Sequence, residues 1–341
     1  MPSCPPIGPS PRPIVVLGPT AGGKSDLAAS LAQQLGGFVI GADSMQVYRH
    51  LDAGTAKPPQ ALRKKVRHEG VDIVEPGEKF SVHDWLKQTN TLIETGLAEN
   101  KTPVIVGGTN LYLKALLEGL FDGPGQEPAF RATLHDVPDT ELHARLTAVD
   151  AQAANRIAVA DRQRLTRALE VFHLTGQPIS ALQTQWAEET AAQTTYHHNP
   201  MLIGLRWAVD DINPRINLRV KAMFTPDKVD PQLAADVCIN GESLPDEVAR
   251  LDAAGLLPPG SQCAEALGYK QVLGAIAPDR HPRAADKQIA TLDDAFERTK
   301  ILTRRFAKQQ RTWLKRFRNV QWIDMPHENA VNAAMQLIRE G

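Results

Sequence analysis

Residues 14–25, which read IVVLGPTAGGKS, decide the fold. The first four are apolar and mostly β-branched, a composition typical of a buried parallel strand. The next eight match the phosphate-binding pattern G-x-x-x-x-G-K-[ST]. They are Gly18, Pro19, Thr20, Ala21, Gly22, Gly23, Lys24 and Ser25. Leucines then recur at helical spacing through residues 26–35, so the sequence predicts the strand, loop and helix that this motif requires.

The loop predicts a site for a diphosphate or a triphosphate. Its backbone N–H groups and the N-terminus of the following helix would form an anion-binding cradle. We expect Lys24 to reach the terminal phosphates and the Ser25 hydroxyl to bind Mg²⁺. The alternative is a glycine-rich turn without a ligand, which the match at every fixed position disfavours.

Two further apolar runs end in polar residues. Residues 38–40 lead to Asp43, and residues 103–106 lead to Gly107, Gly108 and Thr109. Ligands of open α/β sheets bind at the carboxyl ends of the strands, so these segments should converge on the phosphate loop. There Asp43 could bind Mg²⁺, act as a general base, or serve only as a turn former. The two glycines should let the backbone approach a ligand closely.

Composition is ordinary for a globular enzyme. Of 341 residues, 42% are hydrophobic and 23% are charged, and the net charge is −1. Cys4, Cys238 and Cys263 form no C-x-x-C pair, which indicates a reducing compartment without structural zinc or disulfides. No apolar run is long enough to cross a membrane, so we expect a cytoplasmic protein.

Composition along the chain predicts an α/β catalytic core with a helical insertion. We expect a flexible proline-rich leader over 1–12 and a parallel sheet flanked by helices over 13–125 and 201–325, of the kind found in P-loop NTPases. Residues 126–200 show helical periodicity and no clear strand, after a hinge at 119–128. Residues 326–341 would form a C-terminal helix or tail.

Positive charge is concentrated in residues 298–318, which hold nine Lys or Arg and no acid. Helical spacing places Arg304, Lys308, Arg311 and Lys315 along one face. Such a face is commonly only solvated. Its charge density and interleaved aromatic residues favour contact with a nucleic-acid backbone.

Six blocks of this sequence, in order, resemble the tRNA dimethylallyltransferase (tRNA isopentenyltransferase) family. They are GPTAGGKS (18–25), DSMQVYRHLDAGTAKP (43–58), VGGTNLYLKALLEGL (106–120), DRQRLTRALEV (161–171), ALGYKQ (266–271) and AKQQRTWLKRF (307–317). The second block is specific to this family. The chain departs from the family pattern at Glu69-Gly70, at Glu265 and in extra residues around 225–246.

The resemblance implies a P-loop enzyme that transfers a dimethylallyl group from dimethylallyl diphosphate to N6 of the adenine 3′ of the anticodon of tRNA. Asp43, Thr109 and Lys24 would be its catalytic residues, with Mg²⁺ as cofactor. The partner would be the anticodon stem-loop, no membrane would be involved, and the enzyme would be a monomer. The implied tRNA-binding residues are Asp43, Ser44, Met45, Gln46, Thr109, Arg131, Gln163, Arg164, Leu165, Thr166 and Arg167. The helical pattern nevertheless turns Leu165 toward packing.

Three other readings share some of these features. A small-molecule P-loop kinase would consume ATP instead of a prenyl diphosphate. An adenylate isopentenyltransferase would modify free nucleotides and would need neither the insertion nor the basic segment. A nucleotide switch should carry an N-K-x-D motif, which the sequence lacks.

Overall fold

A computed structural model describes residues 11–120, 123–183 and 196–340. The predicted leader, apart from residues 11 and 12, and Cys4 lie outside these ranges. The chain divides into two compact units, one formed by Met1–Leu117 with His197–Gly341 and the other by Glu118–Tyr196. In the described part of the chain, no helix is long and apolar enough to cross a membrane.

The first unit is built on a six-stranded parallel sheet with the order β3-β2-β4-β1-β5-β6, which confirms the predicted fold class. The strands are β1 (Ile14–Leu17), β2 (Phe38–Gly41), β3 (His68–Glu69), β4 (Pro103–Val106), β5 (Met201–Trp207) and β6 (Val320–Met325). The short edge strand β3 was not predicted, because two residues carry no periodicity. The other five strands follow the apolar runs of the sequence.

Helices flank this sheet. In the first unit they are α1 (Lys24–Gln34), α2 (Gln60–Lys65), α3 (Val82–Ala98), α4 (Asn110–Glu118), α10 (Val209–Phe224), α11 (Pro231–Val237), α12 (Leu244–Ala253), α13 (Tyr269–Ile276), α14 (Leu292–Leu314) and α15 (Ala330–Glu340). The insertion holds α5 (Pro128–Thr133), α6 (Asp139–Val149), α7 (Ala151–Ala154), α8 (Arg162–Thr175) and α9 (Ile179–Leu182).

The longest helices begin where the sequence supplies caps. Ser81 accepts a hydrogen bond from the Asp84 N–H at the start of α3, and the Asp84 carboxylate accepts one from the Ser81 N–H. Thr291 and Asp294 form the same reciprocal pair at the start of α14. These capping boxes satisfy amide groups that the first helical turn leaves unpaired.

The strand register brings the predicted site segments to one edge of the sheet. Val16 of β1 lies beside Val106 of β4 and Ile203 of β5, and Gly41 of β2 lies beside Val106. β1 is completely buried between its neighbours. The phosphate loop, the segment after β2 and the segment after β4 therefore leave the sheet at the same level.

The insertion has its own small core. Leu142, Leu146 and Leu165 are fully buried there, with other apolar residues of α5 to α9 around them. Burying Leu165 confirms that the hydrophobic side of α8 faces inward. Its side chain is thus unavailable to RNA, which corrects its place among the implied tRNA-binding residues.

Candidate active site

The phosphate loop is held open by side chains that bind its carbonyl groups. Lys24 Nζ donates to the Pro19 carbonyl at 2.7 Å. Arg215 Nε donates to the Ala21 carbonyl at 3.1 Å, and Trp207 Nε1 donates to the Gly22 carbonyl at 3.1 Å. The Arg215 guanidinium also stacks on the Trp207 ring, 5.0 Å from its centroid. The carbonyl oxygens are thus turned toward the protein.

The amide groups of the same loop are left available. Ala21 and Gly23 adopt left-handed backbone conformations, with φ of 59° and 81°, which reverse the chain just before α1. The N–H groups of Gly23, Lys24 and Ser25 have no hydrogen-bond acceptor among the described residues. Unpaired amides at a helix N-terminus attract anions, so the predicted cradle has the structure that a diphosphate requires.

Two cations lie at this cradle, the buried Lys24 and the half-buried Arg219. Burial, together with the nearby Arg219 charge, lowers the pKa of Lys24 to about 7, against a partial opposing effect of Asp43. Burial also lowers the pKa of Arg219 to about 10, so that guanidinium stays charged at neutral pH. Arg219 donates to the Thr20 hydroxyl, while its buried Nε has no partner among the described residues. Sequence analysis assigns no role to Arg219, since it occupies an ordinary amphipathic helix.

Thr109 contacts Ser44, the neighbour of Asp43, across the ends of β2 and β4. The Asp43 carboxylate accepts a hydrogen bond from the Met45 N–H at 2.9 Å. The Thr109 hydroxyl accepts from the Ser44 N–H at 3.0 Å and lies 3.3 Å from the Ser44 hydroxyl. Because the Asp43 charge acts on both Lys24 and Arg219, the carboxylate and the phosphate cradle belong to one electrostatic site.

The two glycines after β4 serve a purpose different from the predicted one. A Cβ at Gly107 would lie 2.0 Å from the Ala42 carbonyl oxygen, and a Cβ at Gly108 would lie 2.5 Å from the Gln310 amide nitrogen. Both positions are filled by protein and not by a ligand. The absent side chains allow the β4 turn to pack directly on the β2 turn that carries Asp43.

A buried charge cluster braces the rest of the 43–58 block. The Lys57 ammonium is completely buried and donates to the Tyr48 carbonyl at 2.6 Å, to Asp52 at 2.9 Å and to Asp72 at 2.5 Å. Gln46 Nε2 donates to the Thr55 carbonyl at 3.1 Å, so its amide also supports the loop. The three oxygen partners of Lys57 offset the cost of burying its charge, and they hold the loop in place around it.

The 266–271 block and the extra segment reach the same loop. Glu247 accepts from the Asp52 N–H at 3.1 Å and from the Tyr269 hydroxyl. Burial raises the pKa of Glu247 to about 7, with Asp52 adding to that effect and the hydrogen bonds opposing it. Asn240, in the extra 225–246 segment, donates to the Asp52 carboxylate. The extra 225–246 segment, which departs from the family pattern, therefore contacts the 43–58 block, which matches it.

The implied magnesium ion fits this site if the phosphate oxygens of the substrate supply most of its ligands. Among the described residues, no group of three or more His, Cys, Asp or Glu side chains could enclose a metal. Ser25, exposed at the start of α1, and Asp43 are the nearby oxygen donors. Mg²⁺ commonly binds through one or two protein oxygens, with substrate phosphates and water completing its shell.

The predicted tRNA-binding residues of the insertion divide into two groups. Gln163 and Arg164 are exposed, and Thr166 is half-buried. Arg131 and Arg167 instead bind the fully buried Glu170, with Arg131 forming two bonds of 2.7 Å and Arg167 one of 2.6 Å. Burial alone would raise the pKa of Glu170, but these bonds hold it at about 2. The first role of Arg131 and Arg167 is therefore to stabilise the insertion.

The predicted basic face on α14 is also divided. Lys308 and Lys315 are exposed, as expected. Arg304 donates to Asn217 at 2.6 Å, and Arg311 lies half-buried beside the Trp207 carbonyl. The two arginines turn toward the protein because α14 packs against α10 along this side.

The chain matches two models of known protein families. The family model described as IPP transferase matches residues 46–317, and a model described as Isopentenyl transferase matches residues 12–71. The chain belongs to the IPP transferase family. It is 37% identical over 92% of its length to tRNA dimethylallyltransferase 1 of Citrifermentans bemidjiense and 38% identical over 92% to tRNA dimethylallyltransferase of Geobacter sulfurreducens, covering 92% of each relative.

A solved structure of the family has the same fold. It is the full-length tRNA isopentenylpyrophosphate transferase of Bacillus halodurans, which is 30% identical to this chain and aligns with a TM-score of 0.64. The alignment covers 96% of this chain and 95% of the other. Both units therefore fall within the span that the IPP transferase family shares.

The lowered pKa of Lys24 predicts that anion binding takes up a proton. Above pH 7 the free protein holds Lys24 largely neutral, and a bound diphosphate would favour the ammonium form. At pH 8, pyrophosphate binding should take up about one proton more in the wild type than in Lys24→Arg, whose guanidinium is charged throughout. Calorimetry in buffers of different ionisation enthalpy measures this difference. Equal proton uptake by the two proteins would contradict the assignment.

Proposed function

We propose that this protein transfers a dimethylallyl group from dimethylallyl diphosphate to N6 of the adenine immediately 3′ of the anticodon in tRNA. The placement of the Asp43 carboxylate beside an open diphosphate cradle carries the proposal, since the reaction needs both a base and a site for a diphosphate leaving group. Membership of the IPP transferase family supports it.

The cradle would bind the diphosphate of the donor. Negative charge builds on the oxygen bonded to C1 as the C1–O bond breaks. The amides at the start of α1, the Arg219 guanidinium and, once protonated, the Lys24 ammonium would stabilise that charge. A magnesium ion bound through Ser25 would supply further charge compensation to the diphosphate.

Asp43 would act on the acceptor. The N6 amine is a weak nucleophile because its lone pair is delocalised into the purine. As the N6–C1 bond forms and the diphosphate departs with the C1–O electron pair, Asp43 would take the N6 proton. The Met45 N–H fixes one carboxylate oxygen, which leaves the other for this transfer. The Thr109 hydroxyl, anchored on Ser44, would donate to a diphosphate oxygen.

The acceptor is proposed to be an RNA because the chain offers separate cationic surfaces for a phosphate backbone. The adenine must leave the anticodon stack to reach Asp43, which costs a few kcal/mol. Contacts to the stem-loop would offset this cost. We assign them to Gln163 and Arg164 of the insertion and to Lys308 and Lys315 on and just beyond α14, all of which are exposed.

Asp43→Asn should slow the chemical step without weakening the binding of either substrate. With saturating dimethylallyl diphosphate and an anticodon stem-loop, its single-turnover rate should fall by about 10²–10⁴-fold, since a positioned base contributes that much. Nucleoside mass spectrometry measures the product. Asp227→Asn, an exposed carboxylate outside the site, should match the wild type.

A near wild-type rate in Asp43→Asn would remove Asp43 as the base. Phosphorylation of an acceptor from ATP, with no prenyl transfer by the wild type, would instead establish the kinase alternative.

Arg164 and Arg167 form a matched pair for RNA binding. Arg164→Gln should weaken stem-loop binding and flatten the dependence of log K on log salt by about 0.7–0.9, the slope of one phosphate contact. It should change the free energy of unfolding by less than about 1 kcal/mol, because the ion pair of Arg164 with Asp161 is exposed. Arg167→Gln should destabilise the insertion, because it removes a partner from the buried Glu170. If Arg164→Gln leaves the salt slope unchanged, the exposed end of α8 does not contact phosphate.

A further inference from the structure

Gln310 is a polar residue on the buried side of α14. Its side chain is 1% exposed. Between residues 299 and 314, the buried side of α14 has four other residues, all of them uncharged. Together with Gln310 they recur every three or four positions. They are Thr299, Thr303, Ala307 and Leu314. A buried amide at such a position needs partners for both of its ends.

The Gln310 amide finds those partners in two separate loops of the active site. Its Oε1 accepts from the Thr20 N–H at 2.8 Å, and its Nε2 donates to the Gly108 carbonyl at 2.9 Å. One bond reaches the phosphate loop and the other reaches the turn after β4. Only a side chain with both an acceptor and a donor can bridge these two groups.

Each anchored residue is tied to a group proposed to act on the substrate. Thr20 accepts a hydrogen bond from Arg219, which lies at the diphosphate cradle. Gly108 precedes Thr109, whose hydroxyl holds Ser44 beside Asp43. The Gln310 amide is thus the bridge between the part of the site that holds the leaving group and the part that holds the base.

We propose that Gln310 is a positioning residue that fixes the diphosphate cradle relative to Thr109 and Asp43. The proposal rests on the proposed function for the identity of the donor. Because α14 also carries the exposed Lys308, the helix that supports the site is one that we assign to RNA binding. Gln310 itself touches neither substrate.

Two substitutions test the bridge. Gln310→Met keeps the length of the side chain and removes both bonds. Gln310→Glu keeps the acceptor for Thr20 but, when ionised, has no proton to donate to Gly108. A protonated glutamic acid can make both bonds again. Gln309→Met is the matched control, because Gln309 is the exposed neighbour on the same helix.

Gln310→Met should weaken pyrophosphate binding at least tenfold and lower the single-turnover rate at saturating donor at least tenfold. Its stem-loop Kd should stay within twofold of the wild type, and so should all constants of Gln309→Met. Measurements are made below the unfolding transition of each variant. For Gln310→Glu, the rate relative to wild type should rise at least threefold between pH 8 and pH 6, since burial raises the pKa of a carboxyl group.

The proposal would be overturned if Gln310→Met folds and keeps both its pyrophosphate affinity and its single-turnover rate within twofold of the wild type. Equal losses of pyrophosphate and stem-loop binding would also overturn it, since they indicate general damage. Should Gln310→Met fail to fold, Gln310→Glu decides, and a relative rate that does not change with pH contradicts the bridge. Pyrophosphate affinity does not depend on prenyl transfer, so failure of the proposed function would appear separately, as a wild type without product.

Discussion

The site depends on the direction in which the phosphate loop points its peptide groups. Within the loop, the Gly22 N–H donates to the Pro19 carbonyl at 3.2 Å. Here the carbonyls of Pro19, Ala21 and Gly22 are bound by Lys24, Arg215 and Trp207. The amides at the start of α1 therefore remain directed at the space where an anion can bind. This arrangement is the basis on which we propose that the strand–loop–helix unit binds a diphosphate.

The side chains that impose this arrangement come from distant parts of the chain. Trp207 lies at the end of β5 and Arg215 lies on α10, both after the insertion. The two ends of the insertion are held together by a backbone hydrogen bond, which the His197 N–H donates to the Leu117 carbonyl at 3.0 Å. The first unit can therefore accommodate the insertion at this point. The sheet passes from β4 through β1 to β5 without interruption. Both flanking segments are thus needed to build one site.

Local sequence predicted the parts of the molecule that are set by local chemistry. The phosphate motif and the apolar runs located β1, β2 and β4, because a buried strand shows itself by composition. They also located Asp43 and Thr109, since strand ends in a parallel sheet share one edge. Arg219 and Gln310 were assigned no role, because their partners lie 199 and 290 residues away. The periodicity of apolar residues does not predict contacts between side chains so far apart in the sequence.

The basic residues show the same limit. Arg131 and Arg167 were predicted as RNA contacts from a matching segment and from charge. The structure pairs both with Glu170, whose burial could not be inferred from a glutamate in an amphipathic helix. Likewise, Arg304 and Lys308 share a face by spacing, but only Lys308 is exposed, because α10 packs near Arg304. Charge density identified the cationic elements, and packing decides which cations are free.

We propose that this phosphate loop serves attack at carbon and not at phosphorus. Dimethylallyl diphosphate carrying ¹⁸O in the oxygen that bridges C1 and phosphorus tests it directly. After reaction with an anticodon stem-loop, mass spectrometry should find all of the label in the released pyrophosphate and one dimethylallyl group on the adenine. Label recovered in dimethylallyl alcohol, with the diphosphate group transferred to an acceptor, would show attack at phosphorus and contradict the proposal.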